Sequence, residues 1–535
     1  MPRSDSELHR NLEASTVNES LSTEAVGDPQ VPGLTILWHS DPARVGHWAP
    51  LAPLGSGRGV SLSRGEPRFV DPEGGEPLPL AERHVSRRPI RLEPGSAPGA
   101  VQVLGGGPKT VLRPSGRVVP GGVELEAEQI VDGVVLELAE RVALVLHLMP
   151  AVRARPPRCG LVGESASILQ LRQDLLRVAD LDVPVLLRGE TGTGKELVAR
   201  ALHRASRRRA GACLSVNVGA IPPTLAAAEL FGSARGAFTG ADRRREGYFV
   251  QASGGTLFLD EIGECPPDVQ VLLLRALESG EVQPVGAERP RGVDVRVLAA
   301  TDADLEAAID EGRFRAPLLH RLNGYSLQLP ALRERRDDVG RLLLHFLRLE
   351  LGAMGESHRL TAAGPRDPMW LPASLVGRLA RCRWPGNVRQ LRNLARQLVI
   401  GHRGSERIVV DSRVSALLRE VEGEDPESSP SGAVEPVSKP KYRHPSEVGE
   451  GELRRALEDH AWQLKAAAAA LGVSRTSLYT LIERHPHLRT AARLDRNELA
   501  EALDRHGGDF EAAAAELQVS AQALQRRASD LGLDR

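Results

Sequence analysis

Eight consecutive residues, Gly189-Glu190-Thr191-Gly192-Thr193-Gly194-Lys195-Glu196, carry the most specific chemistry in the chain. They follow an apolar β-branched run, Val183 to Leu187, and lead into Leu197-Val198-Ala199-Arg200-Ala201-Leu202-His203, where apolar residues recur at helical spacing. That order is strand, glycine loop, helix. The glycines let successive N–H groups turn inward on a phosphate chain, Lys195 brings a point charge to its β/γ end, and the helix N-terminus adds its dipole. A nucleoside triphosphate is the expected ligand. Such loops usually follow the lysine with a Ser or Thr whose hydroxyl ligates Mg2+. Glu196 stands there instead, so Mg2+ must be held mostly from elsewhere. A further apolar run, Gly255 to Leu259, ends in Asp260-Glu261. The first carboxylate suits the Mg2+ water shell and the second suits an attacking water, which is the pairing ATP hydrolysis needs.

These residues need a rigid frame. Between about Cys159 and Pro330, β-branched runs alternate with helical stretches, which predicts a parallel sheet with helices on both faces. The runs are Val183–Leu187, Cys213–Val218, Gly255–Leu259, Val293–Ala300 and Tyr325–Leu329. From Leu332 to about His402 the pattern is helical throughout, as in a small lid. Ahead of this region, from Leu34 to Met149, short alternating runs punctuated by Gly and Pro predict an all-β sandwich, with its last two runs forming a hairpin around Ala139-Glu140-Arg141.

The remaining segments follow from composition. Residues 1–30 are polar and without period, a disordered tail. The domain plan is a sandwich over 31–150, a linker over 151–160, an α/β ATPase body over 161–330, a lid over 331–402 and a linker over 403–450. Beyond it an internal repeat runs at a constant offset of 46 residues, Glu452-Leu453 recurring as Glu498-Leu499 and Val473-Ser474 as Val519-Ser520. Each copy, 451–489 and 490–535, reads as a helix-turn-helix unit. The second copy is either a DNA reader or a packing module.

With 69 basic against 70 acidic residues, bulk charge draws no polyanion, so any nucleic-acid contact must be local. Cys159, Cys213, Cys265 and Cys382 stand far apart without a Cys-x-x-Cys pair, which argues against zinc and disulfide frameworks. The best apolar run of the N-terminal region, Val142 to Met149, is far too short to span a membrane. A cytoplasmic protein without membrane contact is expected.

Several strings resemble one family. Gly254-Gly255-Thr256-Leu257-Phe258-Leu259-Asp260-Glu261-Ile262, Glu229-Leu230-Phe231-Gly232, Trp384-Pro385-Gly386-Asn387-Val388-Arg389 and above all Gly236-Ala237-Phe238-Thr239-Gly240-Ala241 are similar to the bacterial enhancer-binding proteins. These are AAA+ ATPases that activate RNA polymerase carrying sigma-54, and the likeness runs from about Leu161 to Gly401. It implies ATP and Mg2+ as cofactors, with Gly189 through Glu196, Thr301, Asp302 and Arg389 binding nucleotide and Asp260 binding the metal. It implies Glu261 as the residue that activates water, Asn217 as the amide restraining that glutamate, and Arg315 and Arg321 as arginine fingers reaching a neighbouring subunit of a homo-oligomeric, six-membered ring. Gly236 to Ala241 would touch sigma-54.

Two departures bear on turnover: Asp302 stands where the family usually has Asn, and Pro317 where it usually has Asp. A remodeller of another protein, or a DNA-binding regulator with weakened ATPase, are the competing readings. Ser474-Arg475-Thr476-Ser477-Leu478-Tyr479 resembles the recognition helix of Fis-type domains, implying enhancer DNA contacts by Ser474, Arg475, Thr476, Ser477 and Tyr479. In the sandwich, Ser56-Gly57-Arg58 and Val85-Ser86-Arg87-Arg88 resemble the loops of forkhead-associated domains, with Pro89 where that family usually has His. That likeness implies Arg58 and Ser86 as ligands of a phosphothreonine protein and links the chain to a Ser/Thr kinase or another signalling system.

Overall fold

A computed structural model describes residues 30–86, 88–105, 122–152, 155–237, 243–361, 369–422, 449–460, 462, 464–471, 478, 481, 495–507, 509–517, 519, 524–525 and 527–528. The chain divides into two compact units, Met1–Ser428 and Ser429–Arg535.

In the first unit two four-stranded antiparallel sheets face each other. One has the order Trp48–Pro50, Gln30–Trp38, Val142–Pro150, Val134–Leu138; the other runs Val60–Leu62, Ile90–Pro94, Val101–Leu104, Val123–Leu125. Leu34, Ile36, Leu62, Leu92, Val103 and Leu144 close a common apolar core between them. The predicted hairpin is present, with Leu138 opposite Val142. Of the three residues that join these strands, Ala139 and Glu140 both hold positive φ, +50° and +56°, the left-handed backbone by which a tight hairpin turn matches the twist of its strands.

The next region is a five-stranded, all-parallel sheet in the order Cys213–Asn217, Thr256–Asp260, Arg296–Thr301, Val185–Arg188, Tyr325–Gln328. Its inner strands are apolar along their length because both faces are covered. Leu186, Leu257, Leu259 and Ala299 meet one helical layer; Val185, Leu187, Phe258 and Leu298 meet the other. Arg296, the first residue of its strand, is buried and donates to Ala179 O at 2.6 Å and Val178 O at 2.8 Å. It thereby satisfies the end of helix Ala166–Ala179, whose dipole favours a cation there.

The lid contains helices Val339–Ala353, Ala373–Arg381 and Asn387–Gly401. Helix Ser412–Glu422 joins them: Val414, Leu418 and Val421 are buried in the lid core, and Trp384 N donates to Val421 O at 3.2 Å. The lid therefore extends into the linker expected over 403–450, because Val414, Leu418 and Val421 fall on one face of a helix whose other positions are mostly polar.

Nor is the sandwich merely tethered to the ATPase. Leu37, Trp38, Val135, Ala143 and Val145 belong to the same core as Val339, Leu343, Val376 and Leu379 of the lid. Trp38 Nε1 donates to Leu371 O at 3.1 Å. Helix Val339–Ala353 approaches so closely that a Cβ on Gly340 would lie 1.9 Å from Leu37 O. Burying each large apolar side chain is worth roughly 1.5–3 kcal/mol, so this is a firm seam.

The second unit repeats one small helical core. Leu453, Leu457, Ala467, Ala468 and Leu478 are buried in the first copy; Leu499, Leu503, Ala513, Ala514 and Leu524, the same positions one repeat later, are buried in the second. Asp495 caps helix Arg496–Arg505 by accepting from Glu498 N. Among the described residues no helix is long and apolar enough to cross a membrane.

Candidate functional site

Parallel strands present all their C-terminal ends on one edge, and the chemistry converges there. The phosphate loop follows Val185–Arg188, Asp260-Glu261 end the strand Thr256–Asp260, and Thr301-Asp302 end Arg296–Thr301. Register completes the cluster, with Arg188 opposite Thr301 and Asn217 opposite Asp260.

Lys195 opens helix Lys195–Ala205 and is buried. Its Nζ donates to Gly189 O at 2.7 Å and to Glu190 O at 3.3 Å. Burial is the largest influence on its pKa and lowers it, opposed by the charges of Asp302, Asp260 and Glu261. Gly192 and Gly194 hold φ of +80° and +107°, and a Cβ on Gly192 would strike Gly386 O at 2.3 Å. Only glycine fits beneath the lid there.

Asp260 is half-buried, and desolvation raises its pKa. Glu261 sits in the left-handed region at φ +56°, ψ +45°, a conformation that costs a non-glycine residue of order 1–3 kcal/mol and that marks functional positions. Its carboxylate lies over Gly219, where a Cβ would come 2.7 Å from Glu261 Oε2 and 3.4 Å from Asn217 Oδ1. The structure thus brings Asn217 and Glu261 together. Asn217 Oδ1 itself accepts from Ala220 N at 3.0 Å.

Asp302 accepts a short hydrogen bond from Thr191 Oγ1. That bond is the chief cause holding its carboxyl below the ordinary range, so the negative charge suspected from sequence faces the phosphate loop. Thr301 is buried, and its Oγ1 accepts from Ala303 N at 3.0 Å. Glu196 lies outside the cradle, paired with Arg200 at 2.6 Å.

The lid reaches the loop through Asn387 and Arg333, to which the sequence assigns no role, and through Arg389, expected there to bind nucleotide. Asn387, fully buried and at φ +50°, donates through Nδ2 to Glu190 Oε2 at 3.0 Å and Thr191 O at 3.1 Å. Its Oδ1 accepts from Leu332 N at 2.8 Å. Arg333 forks onto Glu190 at 2.9 and 2.5 Å. Arg389 is exposed, its backbone N donating to Gly192 O at 3.3 Å.

Arg315 and Arg321 are exposed and have no side-chain partner among the described residues. They are not drawn to the phosphate loop of their own chain. Pro317 falls in the first turn of helix Ala316–Leu322, where its missing N–H costs nothing.

Strands Gly232–Ser233 and Arg245–Glu246 pair as a stalk. It is tied to the neighbouring hairpin by Ala234 N to Val285 O and Val285 N to Gly232 O, each 2.9 Å, and by Arg291 to Glu246 at 2.9 Å. Gly236 and Ala237 stand at its end, Ala237 N donating to Ala234 O at 3.3 Å. Phe238, Thr239, Gly240 and Ala241 lie outside the described residues, as do Ser474, Arg475, Thr476, Ser477 and Tyr479.

The sandwich corrects one expectation. Strands Val60–Leu62 and Ile90–Pro94 run antiparallel, Val60 opposite Leu92 and Leu62 opposite Ile90. Arg58 precedes the first strand and Ser86 the second, so they lie at opposite ends of the pair and are not brought together. Across the strand pair Arg64 N–H donates to Ser86 O at 3.4 Å, and Ser86 Oγ accepts from Arg88 N at 3.0 Å.

Residues 161–328 match the sigma-54 interaction domain and residues 333–430 the AAA+ ATPase lid domain. The chain is similar to the nitric oxide reductase transcription regulator NorR1 of Cupriavidus necator, 41% identical over 61% of this chain and 63% of that one. It is 39% identical to the C4-dicarboxylate transport transcriptional regulatory protein DctD of Rhizobium meliloti over 63% of this chain and 67% of that protein. To the DNA-binding transcriptional regulator NtrC of Escherichia coli it is 44% identical over 49% of this chain and 53% of that one. The matched region thus spans between about half and two thirds of these relatives. Among solved structures, NtrX from Brucella abortus in complex with ATP gives a TM-score of 0.44 at 29% identity, covering 70% of this chain and 69% of that one. With these domain models covering body and lid and two thirds of DctD matched, the chain belongs to the family of transcriptional regulators built on a sigma-54 interaction domain with an AAA+ lid.

Proposed function

We propose that this protein is an ATP-driven transcriptional activator that binds enhancer DNA and remodels RNA polymerase carrying sigma-54 from the closed to the open complex. The observation that carries the reading is the convergence of Lys195, Asp260-Glu261 and Thr301-Asp302 on one sheet edge beneath the lid loop. The residues present suit a triphosphate: the glycines leave a cradle that a Cβ would fill, and Lys195 is held by two neutral carbonyls that a phosphate would displace. Charge-assisted bonds are roughly twice as strong as neutral ones, so that exchange favours the nucleotide. Asp260 is the carboxylate placed to hold Mg2+, which would neutralise charge on the phosphates.

Glu261 takes the water-activating role, and Asn217 is its restraining neighbour. Arg315 and Arg321 act in trans, completing each site only in a ring of identical subunits. Asp302 places a carboxylate toward the phosphates and slows turnover relative to an amide at the same place. Movement at the site reaches the stalk that carries residues 236–241, and through it sigma-54. The C-terminal repeat supplies the DNA contacts, Ser474, Arg475, Thr476, Ser477 and Tyr479 in its first copy.

For the sandwich we read a phosphothreonine-binding module of the forkhead-associated kind, placing the chain downstream of a Ser/Thr kinase. The specific support is Arg64 lying beside Ser86, with a guanidinium free of partners among the described residues. Arg64 therefore takes the place expected of Arg58.

The test is subunit mixing. Arg321→Ala and Glu261→Gln proteins should each lack ATPase activity, and mixtures should recover part of it at interfaces joining an intact finger to an intact glutamate. Mixed rings without recovery at any ratio would contradict the trans assignment. Parental turnover by Glu261→Gln alone would remove that residue from its role.

A further inference from the structure

Where the sandwich, the segment entering the ATPase body and the lid meet, they enclose a cavity of about 390 Å3, large enough for a small organic ligand. All three contribute to its wall: Ala43 and His47 from the sandwich, Arg158 and Val162 from the entering segment, Arg341 and Arg348 from helix Val339–Ala353. None of the phosphate-loop residues does.

Arg341 sets its chemistry. The guanidinium lies against Gly46, where a Cβ would come 2.1 Å from Nη2 and 2.6 Å from Cζ, and Gly46 holds φ at +86°. A side chain at position 46 is thus excluded both by the left-handed backbone and by the guanidinium, so the fold reserves this space for Arg341. Burial is the largest influence on Arg341 and opposes its charge. Yet it has no hydrogen bond or ion pair among the described residues.

Three carboxylates, Asp71, Glu73 and Glu164, also line the cavity, and these and Asp338 are turned to other partners, Glu73 to Arg158 at 2.8 Å. Asp338 accepts from Glu164 N at 2.5 Å and Ser165 N at 3.2 Å. Glu164 lies 3.5 Å from both Arg158 and Arg172, and Asp71 lies 3.7 Å from His47 Nε2. Arg348, exposed at the mouth, also lacks a partner among the described residues. A desolvated guanidinium with no hydrogen-bonded counter-charge is costly, and its fork matches two oxygens of one oxyanion.

We propose that this cavity binds a small phosphorylated molecule, anchored by Arg341 with Arg348 at the entrance, and that its occupancy fastens sandwich, entering segment and lid together. The proposal stands apart from the ATPase reading, because it concerns a site that shares no residue with the phosphate loop.

The experiment uses the full chain carrying Lys195→Ala, which removes the nucleotide lysine, titrated calorimetrically with ribose 5-phosphate, inorganic phosphate and ribose. We expect saturable binding of ribose 5-phosphate and none of ribose, with affinity falling about tenfold or more when Arg341→Met is added. Without ligand, Arg341→Met should raise the melting temperature, since a half-buried charge without a hydrogen-bonded partner is removed. Inorganic phosphate binding as tightly as the ester would support the site and assign it to the free oxyanion. Absence of binding by both phosphate compounds, or equal binding in Arg341→Met, would overturn the proposal. Should that variant not fold, Arg348→Gln is expected to weaken binding severalfold, and unchanged affinity in it would count equally against the site.

Discussion

Asn387→Ala is the change whose cost can be worked most fully from the structure. Asn387 is the lid residue that holds the phosphate loop from above, through Glu190 Oε2 and Thr191 O, and within the lid it accepts from Leu332 N. Alanine deletes all three bonds and leaves the buried Leu332 N–H without its acceptor. An abandoned buried donor costs roughly 1–3 kcal/mol, and the two lost donations about 0.5–1.5 kcal/mol each. Position 387 is also left-handed at φ +50°, which Asn tolerates better than Ala by a few tenths to about 1 kcal/mol. Relaxation offsets part of this, so the variant should lose about 3 kcal/mol of stability, a factor of about a hundred, of which the two donations to the phosphate loop are the part that couples lid and body. Hydrogen exchange at the Leu332 amide reads it directly, and affinity for a fluorescent ATP analogue should fall alongside. A folded Asn387→Ala protein whose Leu332 amide keeps its parental protection would refute the reasoning.

Three further outcomes follow from the same geometry. Lys195→Ala should abolish ATP binding while Glu261→Gln binds ATP without turning it over, as equilibrium binding and phosphate release will separate; binding by the first at parental affinity would contradict the assignment. Gly340→Ala, whose Cβ meets Leu37 backbone at 1.9 Å, should cost about 1–3 kcal/mol and expose residues 151–160 to protease. Gly352→Ala on the same helix, with nothing nearer than 3.7 Å, should not. The Glu190 carboxyl is held below its ordinary range, first by Arg333 and then by Asn387. Its folded pKa is the depressed one, so its contribution is full above the ordinary carboxylate value of about 4.3 and is lost as pH falls through the folded value. Urea titrations between neutral and acid pH should show this loss in the parent and a smaller one in Glu190→Gln; identical pH dependence would exclude the tether.

The reactive half of the site was legible because it is local: a glycine loop, a paired carboxylate and a strand-ending Thr-Asp each announce their chemistry within a few residues. What was not legible is long-range. Asn387 acquires its role only when folding sets it against Glu190, 197 residues away, and nothing in Trp384 to Arg389 names that partner. Arg58 matched a motif but lies at the wrong end of its strand pair, while Arg64 reaches Ser86 through strand register that no short string encodes. Helix Ser412–Glu422 hid because three apolar residues sit among charges. The seam between sandwich and lid hid for a different reason: residues such as Val135 and Leu37 read equally well as the sandwich's own core, and only the structure shows which face they serve.

The central claim is that ATP turnover here drives promoter opening, and permanganate footprinting of a sigma-54 promoter tests it most directly. With enhancer DNA, polymerase and ATP, the parent chain should make the start-site thymines reactive. Glu261→Gln should not, and neither should Thr239→Ala, which keeps its ATPase activity. Opening by Glu261→Gln, or by Thr239→Ala at the parental rate, would contradict the account.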